Sequence, residues 1–430
     1  MKQIRFDEKF RLVVPLEAQS PMIHFQARET GATIRATEVK PKFDRFLWKR
    51  INERKLNSAG MIQKQSDSDQ RDAVPSLKYR MRIYCPEPPQ VVSINNGSVK
   101  SPDGRSVKLQ DYSYSLFYGN SGKPTLDDQT MGILSNPVLE IQCLNAGLRE
   151  LIEESVTEFF LTTNFGTMQS KGFGSFSPSD FCDDDWLNDA QRAEIAGYLK
   201  AKTGTDICYY MQMKYPYYDA EWDASVKDFT DTFEAIRCFY QLMKSGYNQA
   251  RSYGESEYER SFLFQYMHDL GIGNEKAWMK REHISPAVYT SRRTAPPMEN
   301  QDKFYYVRAL LGTTGNVSYQ TEDRRRVNVT ISGELQRVSS PVFFKVVKDT
   351  VFITAFPVPK EVYGQIYTFT GDRRRGYESG EISTPEAELF ASRAFDTRDF
   401  MERYVEHYNR LIRENRLPKF LKYAKEVRPL

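Results

Sequence analysis

The sequence has few of the residues that build disulfide frameworks, metal clusters or membrane spans. Its 430 residues include five cysteines and four histidines, and no two cysteines form a Cys-x-x-Cys pair. Because a disulfide framework or a structural zinc site needs clustered ligands, we expect free thiols in a reducing compartment and no metal or other cofactor. No apolar run approaches the roughly 18 residues that a membrane helix needs, and the first residues lack the apolar core of a signal peptide. We therefore expect a cytoplasmic protein without membrane contact.

A charge excess is also missing. The 60 lysines and arginines nearly balance the 57 aspartates and glutamates, which leaves a net charge of +3. Net charge therefore does not indicate a nucleic-acid binder, and only the placement of the basic residues can do so. Apolar residues make up 40% of the chain and aromatic residues 13%, enough to build substantial cores. The length predicts about two or three domains.

The order of elements in residues 1–215 predicts a ferredoxin-like, RRM-type domain of the α+β class. Pro41 is suited to the first turn of the first helix, where its missing N–H costs nothing. Alternation and helical periodicity predict, in chain order, strands within 4–26, a helix from 41, strands at 78–85, 90–94 and 138–144, a helix at 146–160, a glycine-rich loop, a short helix at 189–200 and a strand at 206–215.

The remaining chain divides into two parts by its composition. Residues 216–300 predict a helical segment, with amphipathic helices at 226–243 and 258–270, that ends in a linker. Residues 301–430 predict a β-rich α+β region, for which a second ferredoxin-like domain is one arrangement. Its expected elements are strands at FYYVRALLG and RRRVNVTIS, a hairpin that turns at Lys348-Asp349, and a closing helix at 398–414.

Residues 164–176, NFGTMQSKGFGSF, which we call the glycine loop, have the composition of an anion-binding backbone. Glycines adopt positive φ and let a backbone approach a ligand closely, and successive N–H groups in such a turn can bind an anion. The loop is not a phosphate-binding Walker loop, because Phe173 rather than lysine follows Gly172, and it follows a helix instead of opening one. A plain turn between a helix and a strand explains the spacing about equally well.

The glycine loop behind a helix resembles the signature loop of the RAMP superfamily, the RRM-fold RNA-binding subunits of CRISPR systems. The stretch PMIHFQ and the approach GATIRATEVKPKFDRFL resemble the first strand and first helix of this family, and YYVRALLG and RVSSPVFFKVV resemble parts of the two-domain subunits of type III effector complexes. The resemblance implies a non-catalytic RNA-binding subunit of a CRISPR ribonucleoprotein involved in antiviral defence. Its implied partners are guide RNA, with target RNA as a further ligand, and other effector subunits.

The resemblance also implies where RNA is contacted. Lys40 stands at the mouth of the first helix, with Arg35 just upstream, and a helix N-terminus favours an anion. The other charges of that helix, Lys42, Arg45, Lys49 and Arg50, are expected to be solvated or to lie at the rim of the RNA contact. A second basic loop is expected at GDRRRGYESG. The implied RNA-binding residues are Arg35, Lys40, Gly166, Gln169, Ser170, Lys171, Gly172, Gly174, Arg373, Arg374 and Arg375, whereas Phe165, Phe173 and Phe176 are expected to anchor the loop in the core.

Two alternatives remain open. A metal-independent endoribonuclease that processes guide precursors would use His24 as general acid/base beside Lys40, although about 250 residues follow the glycine loop here and that branch carries the loop near its C-terminus. The aspartate of target-cleaving relatives is missing, because the loop before the first helix contains only Glu29 and Glu38 as acids. A protein-interaction subunit without RNA contact would use the aromatic helical segment. The acidic run 183–185 is expected to cap the following helix rather than to bind a metal.

Overall fold

The computed structural model describes residues 4–23, 33–63, 74–93, 98–100, 106–108, 131–213, 229–250, 256–279, 303–313, 315–320, 326–335, 337–371, 379–416 and 423–430. The helices in these ranges are α1 (Ala36–Glu53), α2 (Ala146–Thr162), α3 (Asp189–Thr203), α4 (Thr230–Lys244), α5 (Phe262–Asp269), α6 (Glu275–Trp278) and α7 (Thr397–Arg413). None of these helices combines the length and apolar composition needed to span a membrane.

The strands in the described ranges are numbered in chain order. They are β1 (Arg11–Ala18), β2 (Met22–Ile23), β3 (Arg80–Tyr84), β4 (Gln90–Ser93), β5 (Ser98–Lys100), β6 (Ser106–Lys108), β7 (Met131–Leu134), β8 (Val138–Gln142), β9 (Phe176–Pro178), β10 (Cys208–Gln212), β11 (Tyr247–Ala250), β12 (Ser256–Glu259), β13 (Gly273–Asn274), β14 (Phe304–Tyr305), β15 (Asn316–Gln320), β16 (Arg326–Gly333), β17 (Val342–Val347), β18 (Thr350–Ala355), β19 (Ile366–Gly371), β20 (Gly380–Ser383) and β21 (Val427–Pro429).

The first sheet has the order β3-β8-β1-β9, and neighbouring strands are antiparallel. Along most of β1 exposed and buried residues alternate, so that one face of the sheet packs inward and the other faces solvent. Helix α1 lies between the first and second of these strands in the chain, and α2 lies between the third and fourth. Both helices bury an apolar stripe that includes Phe43, Leu47, Ile152 and Phe159. The α+β class is therefore confirmed.

The fourth strand of this sheet is not the one that the sequence pattern indicates. The strand predicted at 206–215 exists as β10, but it belongs to a second sheet. The position beside β1 is taken by β9, whose register pairs Leu16 with Pro178 and Ala18 with Phe176. A strand of three residues that are all buried has no alternation, so its sequence carries no signal for a strand.

The second sheet repeats the strand order of the first. It runs β17-β18-β10-β21, again with antiparallel neighbours. If the four strands of each sheet are numbered along the chain, both sheets read 2-3-1-4. Helix α4 lies between the first and second strands of this set, and α7 lies between the third and fourth. The hairpin predicted at Lys348-Asp349 is confirmed, and Lys348 adopts the positive φ that such a turn requires.

Smaller sheets complete the described part of the chain. A four-stranded sheet, β15-β16-β19-β20, lies within residues 316–383, and the shorter ones are β2-β7-β4, β5-β6, β11-β12 and β13-β14. The strand predicted at FYYVRALLG is only partly correct, because after β14 residues Val307–Leu311 form a 3-10 turn. The segment predicted as helical contains the hairpin β11-β12 between α4 and α5. The three-part division at residues 215 and 300 stays a prediction, and the second sheet draws β10 from the first of these parts.

Two local predictions about helix starts are wrong. Helix α1 begins at Ala36, so Pro41 lies inside the helix rather than in its first turn. A proline inside a helix lacks the backbone N–H that would bond one turn back, and its ring crowds the carbonyl of that turn. The acidic run 183–185 does not cap α3. Instead the side chain of Asn188 accepts the Gln191 N–H at 2.9 Å, and the side chain of Gln191 accepts the Asn188 N–H. This arrangement is a capping box, which satisfies two free N–H groups of the helix.

Candidate nucleic-acid interface

The glycine loop leaves α2 at Thr162 and returns to the first sheet at β9. Its two ends lie beside each other, since Asn164 and Ser175 form an isolated bridge and the Phe165 N–H donates to the Gly174 carbonyl at 2.9 Å. The prediction that its phenylalanines anchor the loop is confirmed, because the side chains of Phe165, Phe173 and Phe176 are buried in the core. The ring of Phe173 stacks on that of Phe233 in α4, with 4.0 Å between the ring centroids.

The glycines of the loop are required by the chain's own packing. Gly174 has a φ of +66°, and a Cβ there would lie 1.9 Å from the Phe165 carbonyl oxygen. Gly166 has a φ of +77°, and its Cβ would lie 2.4 Å from the Ile23 carbonyl oxygen. Both positions combine a left-handed backbone with backbone contact at the place where a side chain would start. These two glycines therefore let the loop pass close to other backbone of this protein, whether or not a ligand is bound.

The loop docks on the open edge of the second sheet, along β17. The Phe344 N–H donates to the Ser170 carbonyl at 3.1 Å, and the Asn164 side-chain amide donates to the Phe344 carbonyl at 2.9 Å. Further along, the Ser175 hydroxyl donates to the Val346 carbonyl at 2.6 Å. An unpaired edge strand would expose its N–H and C=O groups. The glycine loop satisfies these groups on β17 and joins the two sheets into one core.

Lys345 of β17 also contacts the glycine loop and α2, from within the core. Its buried ammonium donates to the carbonyls of Phe160, Thr163 and Phe176 at 2.7, 3.0 and 3.1 Å. Burial lowers the pKa of Lys345 well below its ordinary value, and the nearby charge of Lys202 lowers it further. One side chain of the second sheet therefore satisfies carbonyls at both ends of the glycine loop. Nothing in the local sequence around Lys345 indicates this contact with residues far away in the chain.

Lys171, the basic residue of the glycine loop, does not present its charge to solvent in this structure. Its Nζ atom is buried, makes no hydrogen bond within the described residues, and lies 2.9 Å from the centroid of the Tyr240 ring. Burial, and then the charge of Lys244, lowers the pKa of Lys171 well below its ordinary value. RNA contact by Lys171 stays a prediction, and it would require the side chain to turn out of this position.

Two residues of α1, Glu38 and Lys42, make the polar contacts to the outer part of the loop. Glu38 Oε1 accepts the Gly166 N–H at 2.8 Å and Lys42 Nζ at 3.0 Å. Lys42 Nζ also donates to the Asn164 carbonyl at 3.2 Å and to Gln169 Oε1 at 3.1 Å. Lys42 therefore lies at the rim of the loop rather than free in solvent. The expectation of a solvated or rim position is wrong for Arg50, because its guanidinium donates to Ser155 and pairs with Glu158 of α2.

Lys40 points away from the glycine loop. Its Nζ donates to Asp44 at 2.7 Å and to the Ser76 hydroxyl and the Leu77 carbonyl at 3.2 Å each, and it lies over the Tyr79 ring. The structure therefore brings Lys42, rather than Lys40, to the loop. Periodicity along α1 could have indicated the difference, because Lys40 and Lys42 lie on different faces of a helix with 3.6 residues per turn. RNA contact by Lys40 stays a prediction.

The face of α1 that carries Lys42 forms a basic stripe. Arg35 stands at the N-cap, and Lys42, Arg45 and Lys49 follow at spacings that return to the same side of a helix. Arg35, Arg45 and Lys49 are exposed, and Lys42 is half-buried against the loop. Glu38 lies within this stripe, and Glu53 pairs with Lys49 at its far end. At 1.5 Å per residue, the stripe from Arg35 to Lys49 is about 20 Å long, and the glycine loop contacts it at Glu38 and Lys42, near its middle.

The other predicted site residues can be placed only in part. His24 and the run Arg373–Arg375 lie outside the described residues.

The described titratable residues include no metal cluster. Within the part of the chain that the structure describes, no group of three or more His, Cys, Asp or Glu side chains is placed to hold a metal ion. The described histidines, His268 and His407, belong to α5 and α7, and His407 lies 3.5 Å from Glu259 of β12. None of the five cysteines forms a disulfide bond.

Comparison with known families identifies the chain. The model of the Cmr1 N-terminal domain matches residues 9–247, and that of the Cmr1 C-terminal domain matches residues 258–427. No curated protein matches the sequence. The two matches cover nearly the whole chain, and the predicted resemblance to two-domain RAMP proteins of type III systems is confirmed. The chain therefore belongs to the Cmr1 family, whose members are RAMP-type subunits of multi-subunit type III CRISPR effector complexes.

Proposed function

We propose that this subunit holds RNA by its sugar–phosphate backbone, without cleaving it, as part of a cytoplasmic type III effector complex. Both four-stranded sheets have the 2-3-1-4 order of a β-α-β-β-α-β unit, which supports a ferredoxin-like assignment for each half. Family membership supports a role beside guide RNA and other effector subunits. In such a complex, base pairing with the guide reads sequence, and the protein grips the shape and charge of the RNA.

The observation that carries the proposal is the contact between the glycine loop and the basic stripe of α1. Lys42 touches the loop at Asn164 and Gln169, while Arg45 and Lys49 continue the same face with exposed side chains. Lysine and arginine contacts with phosphates dominate the affinity of proteins for nucleic acids. A stripe about 20 Å long, which the loop contacts near its middle, is long enough to follow several successive phosphates of a single strand.

The half-buried polar side chains of Gln169 and Ser170 lie on the loop beside this stripe. Gln169 receives Lys42 on its oxygen and donates to the Gly166 carbonyl at 2.6 Å, so its side chain is already oriented. The amide and the hydroxyl suit contacts to ribose and phosphate, which position RNA without reading bases. The loop residues Gly166, Gln169 and Ser170 therefore remain in the proposed interface, together with Arg35 and Lys42.

A charge reversal in the stripe tests the proposal. The full chain with Arg45→Glu is expected to bind a single-stranded RNA at least about tenfold more weakly than the wild type, because attraction becomes repulsion at an exposed position. Arg413→Glu is the matched control, since Arg413 is an exposed arginine at the end of α7 in the second half. Fluorescence anisotropy at two salt concentrations measures both affinities. Equal losses in the two variants would contradict an interface on α1.

The same preparation tests the enzymatic alternative. Incubation of the wild type with a CRISPR repeat RNA in EDTA is expected to leave the RNA intact while binding is measurable. Cleavage that disappears in His24→Ala would instead support the metal-independent endoribonuclease. If the chain binds no RNA and still joins the effector complex, the protein-interaction alternative would be correct.

A further inference from the structure

The glycine loop already holds an anion, which the protein itself supplies. One carboxylate oxygen of Glu38 accepts both the Gly166 N–H, at 2.8 Å, and the Lys42 ammonium, at 3.0 Å. A backbone N–H and an ammonium group that converge on one oxygen are the donors that a phosphate oxygen would use. Glu38 therefore occupies the position where the sequence pattern predicts a phosphate.

The position is open to exchange with a ligand. The side chain of Glu38 is 19% exposed and that of Lys42 is 26% exposed, so solvent reaches the rim of the contact. The Gly166 backbone itself is fixed by its close approach to Ile23, and the neighbouring Thr167 N–H and hydroxyl both donate to the Ile23 carbonyl, at 2.7 and 2.8 Å. The Gly166 N–H is therefore held in place, whereas its acceptor is the Glu38 carboxylate, which sits on a side chain with rotatable bonds.

Glu38 also has an electrostatic effect on the stripe. It lies between Arg35 and Lys42 on the basic face of α1, and its ion pair with Lys42 compensates the lysine charge nearest the loop. An RNA phosphate that approaches the glycine loop meets the Glu38 carboxylate before it reaches the Gly166 N–H and the Lys42 ammonium. Like charges in close contact oppose each other, so the carboxylate must leave before the phosphate can be accepted.

We propose that Glu38 is an internal competitor for RNA, and that a backbone phosphate replaces its carboxylate at the Gly166 N–H and at Lys42. This inference rests on the proposed RNA-holding function. It adds that Glu38 sets how many contacts an RNA must make with the stripe before it binds at the loop. RNA that contacts the stripe at several points can displace Glu38, whereas a single phosphate or a short fragment gains too little to do so. The competitor thus lowers the affinity for all RNA and favours strands that fill the whole interface.

Neutralisation of Glu38 tests the inference. Glu38→Gln keeps an oxygen acceptor for the Gly166 N–H and removes the charge, and Glu406→Gln makes the same change of charge at an exposed position of α7, away from the stripe. Full-length Glu38→Gln is expected to bind a short single-stranded RNA about tenfold more tightly than the wild type, with Glu406→Gln within about twofold of the wild type. The plot of log affinity against log salt should also become steeper by about 0.7, the value for one added phosphate contact on a single strand.

Each outcome decides the inference. If the wild type binds RNA and Glu38→Gln binds no more tightly than Glu406→Gln, the inference is overturned while the proposed function stands. If the wild type binds no RNA, the proposed function itself has failed. Glu38→Ser is a second neutral variant in case Glu38→Gln does not fold. Failure of both variants to fold would also overturn the inference, because Glu38 would then be a structural anchor that RNA could not displace.

Discussion

The two halves of the molecule differ in how a helix is connected to the fourth strand of its sheet. In each half a helix must lead to the fourth strand of its sheet, through residues 163–175 after α2 and through residues 414–426 after α7. The first connection contains three glycines and the second contains none. In the second half, Asn409 of α7 ties the fourth strand directly, through bonds of 2.7 and 2.9 Å to the Val427 carbonyl and N–H.

This difference shows what the glycines of the first connection do. The first connection fits between the first sheet, helix α1 and the edge strand β17, and its backbone approaches other backbone closely at Gly166 and Gly174. The fourth strand of the first half is held from the opposite sheet, through Lys345. The glycine loop is therefore the joint between the halves, and its outer surface adjoins the basic stripe. The four predictions below test this comparison, in order of decreasing effect.

The largest effect is expected for Gly174→Ala. A Cβ at 1.9 Å from the Phe165 oxygen, on a left-handed backbone, requires the loop to shift, so we expect a loss of about 4 kcal/mol or more, or failure to fold. Gly197→Ala in α3 is the control, since nothing lies within 4 Å of a Cβ there and alanine favours a helix. Urea unfolding measures both variants. Equal stability of the two would show that the loop tolerates side chains.

A smaller loss is expected for Lys345→Met. Methionine keeps most of the volume but leaves the carbonyls of Phe160, Thr163 and Phe176 without their donor, so the cost should be about 2–5 kcal/mol. Lys49→Met, at an exposed lysine of α1, is the matched control and should change the urea midpoint little. A similar midpoint for both variants would mean that Lys345 does not secure the joint.

A pH effect is expected from Lys202, which donates to the Thr162 carbonyl where the first connection begins. Burial, and then the charge of Lys42, lowers the pKa of Lys202 to about 7. Between pH 7 and the ordinary lysine value, the unfolded chain holds a proton that the folded chain has released. Stability therefore rises with pH in this window, by up to about 1.4 kcal/mol per pH unit.

Lys202→Met should lack this rise. Urea midpoints of the wild type and the variant, compared at pH 7 and at a pH between 8 and 9, measure the difference, and titrating groups whose pKa does not depend on Lys202 cancel because both chains contain them. If the urea midpoints of the two chains changed with pH in parallel, Lys202 could not be neutral in the folded state at the higher pH.

The smallest effect is expected in the second connection, for Ala424→Gly. Glycine there adds conformational freedom to the unfolded chain and removes one partly buried methyl group, so the loss should stay at about 1 kcal/mol or below. Thermal unfolding measures it. A loss as large as that of Gly174→Ala would show that the second connection is packed as tightly as the first.

The sequence is sufficient to predict features that depend on local periodicity or on a recognisable loop. The stripe of α2, the hairpin at Lys348-Asp349 and the burial of Phe165, Phe173 and Phe176 are all of this kind. Membership of the RAMP superfamily followed from the glycine loop in its place behind a helix.

The features that sequence patterns miss depend on contacts between distant residues. Strand β9 is too short for a pattern, and the contact of Gly166 with Glu38 joins residues 128 positions apart in the chain. The orientation of Lys171 toward Tyr240 depends on how α4 packs behind the loop, which the composition of the loop does not reveal. The RNA-binding role of the glycine-rich, basic loop therefore stays a prediction, and the residues that face its outer side became visible only in the fold.

Crosslinking of RNA to the protein tests the central claim most directly. The full chain, bound to a single-stranded RNA that carries photoreactive uridines, would be irradiated and digested, and the crosslinked peptides identified by mass spectrometry. We predict crosslinks in peptides from residues 33–49 and 164–172, and none in the second connection at 414–426. Crosslinks confined to the second half, with the α1 stripe and the glycine loop unlabelled, would contradict the account.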